Sequence, residues 1–117
     1  MPRYIVKLQH GNTPYYLEWS TIVDAPVTYG MSLEEFNEYY KDTYGTDGMH
    51  GLPERMARVE EKGTSAINDD SGHETISFNR AGKNETCLSV EQIIEWYCVK
   101  QKEPQIEGTR PWEEESE

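Results

Sequence analysis

Residues 31–40 run Met-Ser-Leu-Glu-Glu-Phe-Asn-Glu-Tyr-Tyr, and residues 88–97 run Leu-Ser-Val-Glu-Gln-Ile-Ile-Glu-Trp-Tyr. The two stretches are offset by 57 positions and share Ser32/Ser89, Glu34/Glu91, Glu38/Glu95 and Tyr40/Tyr97. Each is a full helix-start signal. Ser32 can accept from the amide three residues on while Glu35 reaches back, and Met31 can staple to Phe36; Ser89, Gln92, Leu88 and Ile93 repeat the arrangement. At about 100° per residue, Leu33, Phe36, Tyr40 and Tyr44 fall on one helix face, as do Val90, Ile93, Ile94 and Tyr97. Glu34, Glu35, Glu38 and Asp42 fall on the opposite face, and Tyr39 and Trp96 take equivalent flank positions. The offset is about half of a 117-residue chain, which suggests two ββα halves. Any two capped amphipathic helices share such features, so duplication and coincidence both stay open.

The rest of the chain is placed around these helices. Residues 3–8 and 15–20 are rich in β-formers and flank the turn cluster His10-Gly11-Asn12-Thr13-Pro14, which predicts a hairpin. Residues 21–30 are expected to be a loop or irregular strand, since Pro26 disfavours helix at Ala25. The first helix is expected from Ser32 to Tyr44, ending at Gly45. A glycine-rich loop over 46–52 and a short helix from Pro53 to Lys62 should follow. A second hairpin is expected from 64–68 and 73–79, then a helix from Ser89 to Gln101. The predicted order β-β-α-α-β-β-α points to an α+β fold: an antiparallel sheet of about four strands with helices on one face. One domain over residues 1–102 is expected, with residues 103–117 as a flexible acidic tail in which Trp112 stands out.

The net charge is -11, and residues 101–117 hold two basic and six acidic side chains. The acidity therefore belongs to the body as well as the tail. Such a chain is repelled by nucleic-acid backbones and anionic membranes and favours basic partners. No stretch resembles a secretory signal or a membrane span. Cys87 and Cys98 lie about 16 Å apart along a helix, too far to bridge, which suits a reducing, cytoplasmic setting. An intermolecular disulfide remains open.

Candidate chemistry is sparse. His10, His50 and His73 fall in turns or at strand ends without zinc spacing. There is no serine nucleophile elbow, and Asp47-Gly48 and the 69–72 turn are too short for a calcium loop. No metal or cofactor is expected. Trp19, Ser20, Asp24, Asn79 and Arg80 sit in the loops before the two capped helices and could form a small-ligand site at a seam between halves; Asp24 and Arg80 could equally form a structural pair. Glu34, Glu38 and Asp42 repeat every fourth residue with Tyr39 beside them. Like charges so spaced cost an isolated helix ~0.2–0.5 kcal/mol per pair, so the stripe is either a solvated face or a contact surface.

The segments Glu18-Trp19-Ser20-Thr21-Ile22-Val23-Asp24-Ala25-Pro26 and Gly30-Met31-Ser32-Leu33-Glu34-Glu35-Phe36 resemble small phage and prophage accessory proteins of the counter-defence type. That resemblance implies an inhibitor that blocks a host defence protein, such as a CRISPR or restriction component, or a sequesterer of nucleotide signals. The leading expectation is a non-enzymatic acidic inhibitor in the bacterial cytoplasm. It would use Glu34, Glu38, Asp42, Tyr39 and Trp112 on a basic, nucleic-acid-handling surface, with no direct contact to nucleic acid or membrane. The alternative is a nucleotide binder using Trp19, Ser20, Asp24, Asn79 and Arg80. An enzyme on the same loops is a third option. A homodimer is conceivable if Tyr39 and Trp96 are exposed.

Overall fold

The structure is a computed structural model that describes residues 3–66, 76 and 79–109. Strands β1 (Arg3–His10) and β2 (Thr13–Ser20) form the expected hairpin, and β3 (Ala25–Pro26) adds a two-residue edge, giving the order β1-β2-β3. All pairing is antiparallel, with Val6 opposite Leu17 and Ile5 opposite Glu18. Gly11 (φ 61) supplies the positive backbone angle of the tight turn.

Side chains on a strand alternate between faces, and here both faces are covered. Val6, Leu8, Leu17 and Trp19 meet Ala81, Leu88, Ile93 and Cys98 on one side. Ile5 and Tyr16 meet Phe36, Tyr40, Leu52 and Val59 on the other. The α+β class is as expected. The arrangement corrects the finer expectation, because helical segments flank the sheet on both sides instead of one. The reason is local: β2 buries Tyr16, Leu17, Glu18, Trp19 and Ser20 in succession, and a run buried on both faces needs a cover on each.

The α1 helix spans Leu33–Lys62 with a break at Gly45 (φ 68, ψ -159). The capping box of Ser32 and Glu35 is present. Gly45 does interrupt the helix as predicted, but the chain re-enters helix at once, so the expected loop over 46–52 is helical and Pro53 lies inside. The glycines explain this. A Cβ on Gly48 would sit 2.3 Å from the Cβ of Tyr44, so glycine lets the second half of the helix close onto the first. Leu52 and Val59 then bury against the sheet. The helix ends at Gly63 (φ 86), whose amide donates to the Val59 carbonyl.

Beyond α1 the chain runs along the free edge of β1. Thr64 bridges Val6, the Lys7 amide donates to the Gly63 carbonyl, and the Ser65 amide donates to the Ile5 carbonyl. Most of the expected second hairpin, including His73, lies outside the described residues. So does most of the stretch that the duplication would match to β2. A 3-10 turn over Lys83–Glu85 precedes α2 (Val90–Ile93), which widens into a π-helical turn over Ile94–Val99. The second capping box, Ser89 with Gln92, is also present. The two capped starts therefore lead into unlike elements, a long kinked helix and a short mixed one.

Residues 103–109 lie against the body. Pro104 is buried, Ile106 packs on the core, and Cys87 and Thr109 exchange backbone hydrogen bonds of 2.8 and 2.9 Å. A Cβ on Gly108 would fall 1.8 Å from the Cys87 carbonyl oxygen, so only glycine permits this approach. No helix among the described residues is long and apolar enough to cross a membrane.

Candidate functional site

Two surfaces on opposite sides of the sheet carry the candidate chemistry. The first is α1. Glu34, Glu38 and Asp42 are exposed, and none forms an ion pair among the described residues. Phe36 and Tyr40 bury beneath them, which fixes the three carboxylates outward. Leu33 and Asn37, the sequence neighbours of Glu34 and Glu38, line a groove of about 300 Å³ completed by Met49, Leu52, Pro53, Met56 and Glu60. The groove lies in the bend of the helix, and Leu33 is 45% exposed at its edge. The methionines give it an adaptable apolar wall. The surface is thus a row of carboxylates beside an apolar slot.

Tyr39 does not belong to that outward row. Its hydroxyl donates to the Glu18 carboxylate, and the Tyr44 hydroxyl donates to the other oxygen at 2.7 Å. Arg3 completes the cluster, 3.7 Å from Glu18 and donating to the Tyr44 hydroxyl at 3.3 Å. Glu18 is 2% exposed. Its position in Tyr-Tyr-Leu-Glu-Trp-Ser was the one available signal: an acidic residue at an inward position of a strand needs partners. The two tyrosine partners lie over twenty residues away in α1, which sequence spacing alone does not reveal. Trp96 is likewise buried, so the exposed flank aromatics on which a homodimer would rest are not found. Trp112 lies outside the described residues.

Burial is the main cause that raises the pKa of Tyr39 and of Tyr44, with the hydrogen bond to Glu18 second. Burial also pushes Tyr16 and Tyr97 up to about 12. In each case the folded state keeps a phenolic proton that the unfolded chain loses near pH ~10. Stability is therefore whole below pH ~10 and falls as pH rises through it towards the raised values. In a spectrophotometric titration, a group of tyrosines is expected to ionise only together with alkaline unfolding. If every tyrosine ionised near pH ~10 with the near-UV dichroism intact, this reading would be wrong.

The second surface holds the loops expected to bind a ligand, and the structure sorts their residues. Trp19 is core, 1% exposed. Ser20 is buried, and its hydroxyl accepts from the amides of Ile22 and Val23 at 3.2 and 3.5 Å. Asn79 is buried with both ends of its amide engaged: it donates to the carbonyls of Ile76 and Leu88 and accepts from the amides of Ala81 and Leu88. These three are buried and hold the fold. Asp24 and Arg80 are brought together, through the backbone: the Arg80 amide donates to the Asp24 carbonyl at 2.7 Å. Asp24 adopts a left-handed conformation (φ 54) to make that turn.

Arg80 also opens a cleft of about 540 Å³ together with Lys83, Asn84, Tyr97, Glu103 and Gln105. Gln105 was not assigned to any site from sequence, because it enters only through the docking of residues 103–109. The loop is held firmly. The Lys83 amide donates to the Ile106 carbonyl, the Gly82 amide to the Thr86 carbonyl, and the Tyr97 hydroxyl to the Ala81 carbonyl. Asn84 and Glu85 both have φ near 60, a conformation that costs a non-glycine residue ~1–3 kcal/mol. Cys98 is buried in the core cluster that includes Ala81, its thiol pushed up to about 12 by burial. Among the described residues, no cluster of histidine, cysteine and carboxylate side chains suits a metal ion. No family model, curated protein or solved structure matches this chain.

Proposed function

We propose that the protein is a non-enzymatic binding protein that docks the outer face of α1 on a basic surface of a partner protein. The observation that carries this reading is the row of exposed carboxylates, Glu34, Glu38 and Asp42, beside the methionine-lined groove. The row supplies electrostatic steering, which raises the encounter rate and sets specificity. The groove supplies an apolar pocket for a side chain of the partner, and such pockets concentrate binding energy. The Glu18 cluster contributes stiffness: two tyrosines of the same helix are tied to the sheet, so little ordering is needed on binding. A partner that handles nucleic acid has a surface of the right sign, and blocking it is the role that a phage accessory protein would fill.

The test is capture from a bacterial lysate at low and high salt, followed by affinity measurement on the protein retained. Binding is expected to weaken by about tenfold or more as screening rises. It should be lost when Glu34, Glu38 and Asp42 are together replaced by lysine. Replacing Glu91 and Glu95 by lysine, on the other side of the sheet, should leave it unchanged. A partner whose affinity ignores the triple replacement would sink the proposal.

A further inference from the structure

We infer that the cleft bounded by the 80–85 loop, Tyr97 and residues 103–105 is a binding site for a nucleoside monophosphate. Its volume, about 540 Å³, lies within the ordinary range for small-molecule sites. A second hollow of about 360 Å³ adjoins it, sharing Tyr97 and Glu103 and extending to Tyr29. The rings of Tyr29 and Tyr97 stand 6.2 Å apart and tilted by 44°, leaving Tyr29 42% exposed as an open aromatic wall.

The chemistry around the cleft is mixed in a way that selects the ligand. Arg80 and Lys83 bring two positive charges to one loop of a chain whose net charge is -11. They suit a phosphate of one or two negative charges. Glu85 and Glu103 on the same rim disfavour a polyphosphate and accept hydrogen bonds from sugar hydroxyls. A base then has the Tyr29 and Tyr97 rings to stack on. An inorganic anion would use only the first part of this set, and an uncharged nucleoside only the rest. The preformed loop, with Asn84 and Glu85 locked in left-handed conformations, matches the tendency of backbone strain to gather at ligand sites. The cleft is across the sheet from α1, so the two proposals stand or fall separately.

The experiment is isothermal titration calorimetry of the full chain with AMP, GMP, CMP and UMP, and with inorganic phosphate as the probe without a ring. At least one nucleotide is expected to bind at one per chain. Lys83→Ala should weaken it by about tenfold or more, and Tyr29→Ala by roughly fivefold or more. Both side chains are exposed, and circular dichroism of each variant verifies that it folds. Inorganic phosphate should bind at least about tenfold more weakly. The inference is overturned if no nucleotide binds below about 1 mM, if both variants bind like the parent, or if phosphate binds as tightly as the nucleotides.

Discussion

Replacing Asn79 by alanine is expected to destabilise the protein by about 3–5 kcal/mol, more than any exposed substitution. The side chain is 2% exposed and makes four hydrogen bonds, all to backbone groups. Alanine would strand two carbonyls and two amides in a space too tight for easy solvent entry. Each buried unsatisfied group costs about 1–3 kcal/mol, and partial relaxation keeps the total below the full sum. Asn79→Asp separates the hydrogen-bond loss from the cavity. It keeps the shape and the acceptor, but it loses the donor and sets a carboxylate against the carbonyls of Ile76 and Leu88. A comparable loss is expected. Urea unfolding of both variants gives the measurement, and a loss under about 1 kcal/mol in both would show that the loop is held by other means.

Glu18→Ala is the second large effect, at about 2–3 kcal/mol. The carboxylate is the common acceptor for Tyr39 and Tyr44, which tie α1 to β2. Hydrogen bonds to a charged acceptor are stronger than neutral ones, and stranding their donors is costly. The contribution of Arg3 is discounted, because its side chain is 41% exposed and its nitrogen lies 3.7 Å away. Glu18→Gln keeps a carbonyl acceptor for one tyrosine and should recover part of the loss. A double-mutant cycle with Tyr39→Phe then isolates the pair, and coupling below about 0.5 kcal/mol would rule out the proposed anchor. If the stiffness of α1 serves binding, Glu18→Gln should also weaken the partner without altering any exposed residue.

Much of the framework was legible because its signals are short-range. The β1–β2 hairpin follows from turn residues between two β-rich runs. Both capping boxes follow from Ser-x-x-Glu and Ser-x-x-Gln, where donor and acceptor are three residues apart. Gly63 ended its helix as expected for the same reason. The misreadings have one source as well. Gly48 was assigned to a loop by its backbone freedom, but its lack of a side chain serves close packing against Tyr44. Asn79 was placed in a ligand site by its polarity, but its amide is saturated by backbone groups. Trp19 was assigned with it, and its place in β2 turns it into the core.

The sequence by itself determined the hairpin, the starts of both capped helices, the outward carboxylates of Glu34, Glu38 and Asp42, and the net acidity of the chain. Periodicity, capping and net charge are properties of neighbouring residues, so they survive without knowledge of the fold. Only the tertiary structure decided that both sheet faces are covered, that Tyr39 turns inward to Glu18, and that Arg80 and Lys83 face residues 103–105 across a cleft. Each of those outcomes joins groups far apart in the chain, and which groups meet is fixed by how the two faces of β2 pack.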